Sequence, residues 1–503
     1  MSKGLCLQYF DPDKYREKEA VSSVCNMSSV FIPRLRLMLK HSINALSPST
    51  PLEEKDEMAL ATLVFESMYT PGRVYHSLEH VFNIIENCGI ELNPMLILSV
   101  FFHDVIYYSV DNSFQQSQLE LLRGVLVLEE SNDESKDGEM ELRAHEPLTL
   151  VADVYEDPIN DMLVRLFGLE AGMTLPKLGT NEFLSAVVGI RALSKWLSHK
   201  QLTRLAACIE GTIPFRPPSD DGKTAMDRLY DRLVLVAPNE PEEWLVETIH
   251  MTATMANCDL CNLGSSDFDF FLDSSWSLVP EFNPNMLQED CSLRKYYQEF
   301  LATEGRTKYL LMQVPNIFQT FRNIPSKEEM IAKQNKIREN FKGSDDYTQV
   351  RRLEFMVLME MVIIVGENPD SIPGRRFLHL TLPETQPYSE EENNLVRRLL
   401  HVGRRTGFAW DPARATLGTF LYDKLGEKGV DAAVEVGKNE TAGNYALLNH
   451  LPKDVVEAIA SSLVEVLPKR SNSLSQITDK LEANENIISI SNELEKVSVA
   501  AAK

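Results

Sequence analysis

Residues 73–85 read R-V-Y-H-S-L-E-H-V-F-N-I-I, and the helix that this pattern predicts is the basis of the fold prediction. The stretch holds two histidines, His76 and His80, four positions apart. Its apolar residues recur at the spacing of one helix face, which puts both imidazoles on neighbouring faces. Those apolar residues are Leu78, Phe82 and Ile85. The stretch therefore predicts a helix that carries two imidazoles toward the same side.

A second helix is predicted to follow closely and to be buried. Asn93 suits the N-cap and Pro94 the first position of a helix. Residues 95–102 are apolar almost all round the helix, which is typical of a core helix. His103 and Asp104 come directly after them. Because a buried carboxylate without a partner is very costly, we expect a metal ion beside this pair.

Each of these features has a simpler explanation when it is taken alone. Two histidines at positions i and i+4 are often a surface coincidence, and a His-Asp doublet often ends a helix. Here the two features lie on helices with apolar faces, and His80 and His103 are 23 positions apart. Together they favour a metal centre over two hydrogen-bonded core histidines.

Composition limits the possible classes of function. The chain of 503 residues is 44% hydrophobic and 25% charged, with a formal net charge of −24. This charge argues against a nucleic-acid-binding surface, which needs a basic stripe, and against docking on anionic membranes. A phosphate substrate would be repelled at long range. A metal ion or local cations such as Arg73 and Arg216 would therefore have to attract it.

Cysteine content and the first residues predict where the protein acts. Seven scattered cysteines argue against a disulfide framework and for a reducing compartment. The first residues lack the charged and apolar segments of a signal peptide. The longest apolar run, residues 355–365, is too short to span a bilayer. We predict a cytoplasmic protein, and delivery by a signal-less secretion route is the open alternative.

Three sequence elements resemble the HD superfamily of metal-dependent phosphohydrolases. Its Tyr-His-x-x-x-His element corresponds to residues 75–80, and its His-Asp-x-x-Tyr element to residues 103–107. The third element, Asn-Glu-x-x-Ser, is matched by Asn112 and, one residue late, by Ser117. Ser113 takes the place of the family's Glu. The first element also resembles the His-Asn-x-x-His signature of cyclic-nucleotide phosphodiesterases, which belong to the same superfamily.

The family also requires a distant final aspartate in an Asp-Leu-x-x-Leu-Gly element. Residues 259–264 read D-L-C-N-L-G and resemble this element, at the end of an apolar predicted helix. A carboxylate at a helix C-terminus lies unfavourably in the field of the helix dipole. This position is a further indication that a cation compensates the charge of Asp259.

The resemblance implies a ligand set and a general acid. The implied ligands of one or two divalent ions (Mn, Mg, Zn, Fe or Co) are His80, His103, Asp104 and Asp259. His76 would be the general acid toward the leaving oxygen, because the pKa of histidine lies near working pH. Spacing alone leaves open that His76 is a ligand and that His80 supports it. Candidate substrate contacts are Arg73, Tyr75, Asn112, Ser117 and Arg216.

The predicted function is that of a metal-dependent phosphohydrolase or phosphodiesterase. It would hydrolyse a small phosphate ester, with a nucleotide as the expected substrate, by metal-activated water. The alternative is a catalytically weak HD-fold module that senses a nucleotide or contacts a protein. Ser113 and the long C-terminal region without an assigned role favour this alternative.

The expected fold class is all-α, an HD-domain helical bundle with an additional helical C-terminal region. We expect an N-terminal extension at residues 1–55, an HD-like domain at 56–325, a helical domain at 326–468 and a flexible tail at 469–503. The boundary at 325 follows from the capping box that Ser326 and Glu329 form by spacing. Residues 129–147, rich in Glu, Asp and Ser, predict a solvated loop. The C-terminal helices are the expected surface for a protein partner.

Overall fold

The computed structural model describes residues 23–90, 93–134, 140–438 and 445–467. Helices make up most of these residues, so the predicted all-α class is confirmed. The predicted flexible tail at 469–503 lies outside the described residues, as do residues 1–22 of the predicted N-terminal extension.

The first half of the chain, up to the predicted final aspartate, is a series of short and medium helices. They are α1 (Ser23–Leu46), α2 (Glu54–Met68), α3 (Leu78–Asn87), α4 (Pro94–Phe102), α5 (Tyr108–Asp111), α6 (Gln116–Leu122), α7 (Pro158–Leu166), α8 (Thr180–Leu193), α9 (His199–Gly211), α10 (Ala225–Val236) and α11 (Glu242–Asp259). The predicted histidine helix is α3, the predicted buried helix is α4, and α11 ends at the predicted final ligand.

The second half contains the two longest helices. Its helices are α12 (Phe268–Ser277), α13 (Val279–Phe282), α14 (Leu293–Ile317), α15 (Lys327–Ile364), α16 (Leu395–Val402), α17 (Thr416–Lys438), α18 (Ala446–His450) and α19 (Lys453–Val466). Gly426, with φ of 66°, interrupts α17 with a bend. Within the described ranges, no helix has both the length and the apolar composition that crossing a membrane requires.

A short hairpin replaces the solvated loop that the sequence predicts at residues 129–147. Strands β1 (Leu128–Glu134) and β2 (Met140–Ala144) run antiparallel, with Leu128 opposite Ala144. The loop prediction was wrong because it relied on the polarity of the side chains. An antiparallel ladder is held by backbone hydrogen bonds, which polar side chains do not prevent.

Helix α4 lies at the centre of the first half. The Asn93 side chain caps it by accepting hydrogen bonds from the backbone N–H groups of Met95 and Leu96, at 3.1 and 3.2 Å, so the predicted N-cap is confirmed. All of residues 95–102 are buried, and α4 packs against α1, α9 and α11. A helix enclosed on all sides carries the next residue, His103, into the interior.

Buried apolar side chains form two clusters, which we term the first and second cores. The first core extends from Phe31 to Cys258 and includes Phe321; the second extends from Leu263 to Leu467. Helices α14 and α15 pack against each other in the second core, on either side of the boundary predicted at residue 325. That boundary therefore stays a prediction about independent folding, while the buried side chains divide near residue 260.

The capping box predicted at the start of α15 is confirmed. The Ser326 hydroxyl accepts from the backbone N–H of Glu329 at 3.3 Å, and the Glu329 carboxylate accepts from the backbone N–H of Ser326 at 2.8 Å. This local signal fixes where the helix begins. The start of α15 does not coincide with the division between the first and second cores, which lies near residue 260.

Contrary to the boundary expected from the sequence, the packing of α14 on α15 leads us to predict that a fragment of residues 1–325 aggregates. It would lose α15 and expose apolar side chains of the second core such as Tyr296 and Phe300. Burial of each such side chain contributes about 1.5–3 kcal/mol. Size-exclusion chromatography and thermal melting measure the outcome, and a chain ending at residue 467, which keeps every described element, is the control. A monomeric 1–325 fragment that melts cooperatively would instead establish 325 as the end of a folding unit.

Candidate metal centre

Three of the four predicted ligands come together from three helices of the first core. His80 lies on α3, His103 directly follows α4, and Asp259 is the last residue of α11. Their potential ligand atoms all lie within 4.8 Å of one another. Asp259 Oδ1 lies 3.2 Å from His80 Nε2 and 3.3 Å from His103 Nε2. The three residues form a group that could hold a metal ion.

The orientation of His103 is suited to a cation. Its Nδ1–H donates a hydrogen bond to the backbone carbonyl of Val100 at 2.8 Å. With the proton on Nδ1, the neutral ring presents a lone pair at Nε2. Nε2 is buried and has no hydrogen-bond partner, although carboxylate oxygens of Asp104 and Asp259 lie 2.9 and 3.3 Å away. A lone pair that faces two carboxylates is stabilised by a positive charge, which either a second ring proton or a metal ion supplies, so the donor set fits a metal ion.

Asp104, the fourth predicted ligand, lies beside this group. Its Oδ2 is 2.9 Å from His103 Nε2, but the three-residue group does not include it. Its backbone carbonyl accepts a hydrogen bond from Arg73 at 2.5 Å. The Arg73 contact fixes the backbone at the residue after His103, and leaves the Asp104 carboxylate directed toward the group.

The pKa directions of His103, Asp104 and His80 are compatible with a bound cation. Burial lowers the pKa of His103, but Asp104 and Asp259 outweigh burial and hold the pKa well above its usual value. Burial opposes ionisation of Asp104, yet His103 lowers its pKa to about 2. Burial lowers the pKa of His80 below its usual value, which favours the neutral imidazole that a metal binds. The carboxylates thus stay ionised and attract a positive charge to the histidine nitrogens.

His76 is held by a buried carboxylate that sequence reasoning missed. Glu281, on α13 of the second half, accepts a hydrogen bond from His76 Nδ1 at 2.6 Å. Its other oxygen accepts from the backbone N–H groups of Val74, Tyr75 and His76, at 2.8, 2.7 and 2.9 Å. The Glu281 side chain is fully buried. No local signal could have found it, because it lies 205 residues from His76.

The Glu281 carboxylate favours a protonated His76. Burial lowers the pKa of His76, but the nearby charge of Glu281 and its hydrogen bond outweigh burial, so the pKa is raised. Because Nδ1 is bound to Glu281, the other nitrogen, Nε2, is left to donate a proton. The His76 side chain is 15% exposed.

Two tyrosines frame the histidines. The Tyr75 ring lies 4.4 Å from the His80 ring, between centroids, and the Tyr107 ring lies 4.2 Å from the His76 ring. Burial raises the pKa of both phenols well above their usual value. They therefore stay neutral and limit the rotation of the imidazoles.

Of the predicted substrate contacts Arg73, Tyr75 and Arg216, one lies at a cleft and two are paired with carboxylates. Tyr75 lines a cleft beside the metal group. The Arg73 side chain is fully buried and pairs with Asp111 at 2.6 Å, and Arg216 pairs with Glu210 at 2.5 Å. Their charges are neutralised inside the protein.

The residues of the third family-like element lie on the surface. Asn112 is exposed, has a φ of 52° and ends α5, and Ser117 is exposed on α6. The Ser113 hydroxyl donates to the backbone carbonyl of Asp111 at 3.2 Å. The structure does not bring these side chains to the metal group.

A cleft of about 170 Å³ opens beside the metal group, between the two cores. Side chains of the first half form one wall: Tyr75, His80 and Asp259. Side chains of the second half form the other: Phe270, Arg405 and Phe408. No local pattern predicts the second wall, because its residues follow His76 and His80 by about 200 to 330 positions.

The chain was compared with models of protein families, with curated proteins and with solved structures, and none of the three comparisons finds a match.

We predict that His103→Ala and Asp259→Ala each lose the bound metal ion. Loss of even an outer-shell group weakens metal affinity by about 10- to 100-fold, and loss of a ligand should weaken it at least as much. Elemental analysis after dialysis against Mn²⁺ or Zn²⁺ measures metal content. Thermal unfolding should show the wild type stabilised by about 3 kcal/mol at a hundredfold excess over Kd.

The control for this experiment is His401→Ala. His401 forms a comparable histidine–carboxylate pair with Asp423, at 2.8 Å, away from the metal group. Its removal should leave the metal content unchanged. Full metal content in Asp259→Ala would remove this aspartate from the ligand set.

We also predict that the stabilising effect of Glu281 on the metal-free protein depends on pH. The pKa of His76 is higher in the folded state than in the unfolded state, where it is about 6.5. Protonated His76 therefore stabilises the fold, and this contribution is complete below about pH 6.5. It is lost as the pH rises through the folded-state pKa. The difference in unfolding free energy between wild type and Glu281→Gln in EDTA should therefore be larger at pH 6 than at pH 9. Urea titrations at both pH values measure it.

Glu57→Gln is the matched control for the pH experiment. Glu57 is also a buried carboxylate, but Arg36 and Lys40 bind it, at 2.8 and 3.0 Å. Neither partner is a histidine, so the effect of Glu57→Gln should be the same at pH 6 and pH 9. An equal pH response in the two variants would show that His76 is not the titrating partner.

Proposed function

We propose that the protein is a metal-dependent phosphohydrolase or phosphodiesterase of the HD type. The observation that carries the proposal is the meeting of His80, His103 and Asp259 beside a histidine whose pKa is raised. The resemblance of the first two sequence elements to the HD superfamily points to the same chemistry.

The roles in the proposed reaction follow from the donor set. His80, His103 and Asp259 would hold the ion, with Asp104 as a further ligand or as a bridge to a second ion. A bound divalent ion supplies charge stabilisation at the phosphoryl oxygens and lowers the pKa of water. Imidazole and carboxylate ligands suit Mn, Zn, Fe, Co and, less well, Mg.

The protein's own contribution is a positioned acid. Glu281 holds the Nδ1–H of His76 and keeps the ring protonated, so Nε2–H can be donated to the leaving oxygen of the ester. General acid catalysis of this kind contributes about 100- to 10,000-fold. The Tyr75 and Tyr107 rings pack against the rings of His80 and His76, and of these four residues Tyr75 and His80 line the cleft.

The proposed substrate is a small phosphate ester, and the HD resemblance favours a nucleotide. The net charge of −24 repels such a dianion at long range. Arg73 and Arg216 are engaged by Asp111 and Glu210. Attraction at short range must therefore come from the metal ion and from cations at the cleft.

A second candidate function is nucleotide sensing without turnover, by the same site. Ser113 stands where the family has Glu, and the residues around it lie on the surface. In this function the second half of the chain would present a surface to a protein partner. Turnover of any phosphate ester by the metal-loaded protein decides between the two.

We predict that the metal-loaded wild type hydrolyses 4-nitrophenyl phosphate, its bis-ester or a nucleotide, and that His76→Ala loses roughly 100- to 10,000-fold in turnover. His76→Ala should retain its metal, because His76 is not in the three-residue group. Phosphate or nitrophenol release with added Mn²⁺, Mg²⁺, Co²⁺ or Zn²⁺ measures turnover.

The surface histidine variant His145→Ala should keep full turnover and serves as the control. Loss of metal in His76→Ala would place His76 among the ligands. Absence of turnover with every ester and every ion would leave sensing as the function.

A further inference from the structure

The loop at residues 403–411 forms part of the far wall of the metal cleft. Arg405, Thr406 and Phe408 of this loop line the cleft. The wall that carries His80 and Asp259 lies on the other side. A ligand bound at the metal group would therefore lie between the first core and this loop of the second half.

A buried ionic cluster holds the 403–411 loop in place. Asp411, which is 2% exposed, accepts hydrogen bonds from Arg404 at 2.6 Å and from the indole N–H of Trp276 at 2.7 Å. Arg351, also 2% exposed, binds the other oxygen of Asp411. Removal of one partner from such a cluster would leave a buried charge uncompensated, which is strongly unfavourable. The cluster thus keeps the loop in one conformation.

Phe408 is fixed against the loop itself. Its backbone N–H and carbonyl both bond to Asp411, at 2.8 and 3.0 Å. Its ring stacks on Trp410, with centroids 5.4 Å apart, and the guanidinium of Arg404 lies 5.6 Å from the ring centroid. Phe408 is half-buried and lines the cleft, so it is accessible to a bound ligand there.

Arg405 differs from its buried neighbour Arg404. It is exposed and pairs with Asp267 at 2.6 Å, with side chains that are 45% and 43% exposed. Exposed ion pairs contribute little to stability. The guanidinium can therefore exchange the single carboxylate for a phosphate, to which arginine binds in a bidentate manner.

Arg405 also supplies a charge that the cleft otherwise lacks. Glu79 and Asp273 line the cleft together with Asp259. Among the described residues that line it, Arg405 alone is an arginine or lysine. A dianionic ligand would be repelled by the acidic side chains unless a cation on the opposite wall offset them.

We propose that the 403–411 loop recognises the substrate of the metal site, with Arg405 binding its phosphate and Phe408 stacking on an aromatic group of the ester. This inference rests on the proposed function, since it assumes a phosphate ester at the metal group. It assigns a role to the second half of the chain: Arg405 and Phe408 determine affinity and specificity and take no part in proton transfer.

The test is a calorimetric titration of the full-length, Mn²⁺-loaded protein with phenyl phosphate and with methyl phosphate. Arg405→Ala should weaken both ligands by roughly 10- to 100-fold, the effect expected for a hydrogen bond to a charged group. Arg405→Lys should recover part of this loss. Phe408→Leu should weaken phenyl phosphate alone, by roughly 2- to 10-fold, the effect expected for the loss of an aromatic pair.

Two variants control for loss of charge and loss of a ring elsewhere. Arg294→Ala removes another exposed arginine of the second half, which pairs with Asp370 at 3.0 Å. Tyr155→Leu removes a half-exposed ring that lies 4.9 Å from the guanidinium of Arg165. Neither residue lines the cleft, so both variants should bind both ligands as the wild type does. Thermal melting checks that the Arg405 and Phe408 variants are folded.

The outcomes separate this inference from the proposed function. If the variants change the affinities as expected but 4-nitrophenyl phosphate is not hydrolysed, the proposed ligand recognition by the loop is supported and the proposed hydrolase activity is not. If Arg405→Ala and Phe408→Leu bind both ligands as the wild type does and turnover is intact, the proposed role of the loop is wrong and the proposed hydrolase activity is retained. Absence of phenyl phosphate binding by the metal-loaded wild type at millimolar concentration would overturn the loop as well. A steady-state assay adds a readout: Arg405→Ala should raise KM while kcat stays within about twofold, because uniform binding is lost.

Discussion

The position of Asp259 is the constraint on which the centre of this structure depends. Its carboxylate ends α11, where the helix dipole disfavours negative charge, and it lies between the imidazoles of His80 and His103. Burial raises the pKa of Asp259, but the two histidines outweigh burial and hold the pKa far below its usual value. Helices α3, α4 and α11 pack together around this point. Because the Asp259 side chain is only 16% exposed, water solvates its charge incompletely, and the histidines compensate for the lost hydration.

Residues of the second half complete the site whose histidines and Asp259 belong to the first half. Glu281 lies on α13, next to side chains of the second core such as Val279, yet it accepts three backbone N–H groups from residues 74–76 and holds His76. The loop before α3 has no hydrogen-bonded ladder of its own, so this single buried carboxylate fixes its backbone. The 403–411 loop, anchored through Asp411, closes the cleft from the same side. The site is thus shared by two cores that the chain builds one after the other.

Charge distribution sets the conditions for any ligand of this cleft. The chain carries a formal charge of −24, and the arginines that sequence reasoning offered as phosphate contacts are used to bind carboxylates within the fold. Arg73 is the clearest case: its buried guanidinium joins Asp111 to the backbone of Asp104. Arg73 contacts the metal group through the backbone of Asp104 and does not line the cleft. An anionic ligand depends on cations that are exposed at the cleft, and Arg405 has that exposure.

The sequence by itself determined the features that depend on neighbouring residues. The helical class, the N-cap at Asn93, the capping box at Ser326 and the burial of α4 all follow from patterns within one or two helical turns. The histidines at 76, 80 and 103 and the carboxylate of Asp259 could be selected because their residue types and spacing are specific. Polar composition misled the prediction at residues 129–147, where backbone pairing decides the conformation. Only the tertiary structure decided the distant contacts: Asp111 at Arg73 within the first half, and Glu281 at His76 and the 403–411 loop opposite Asp259 between the two halves. These contacts join residues 38 to 205 positions apart, and nothing in the local pattern of either partner encodes the other.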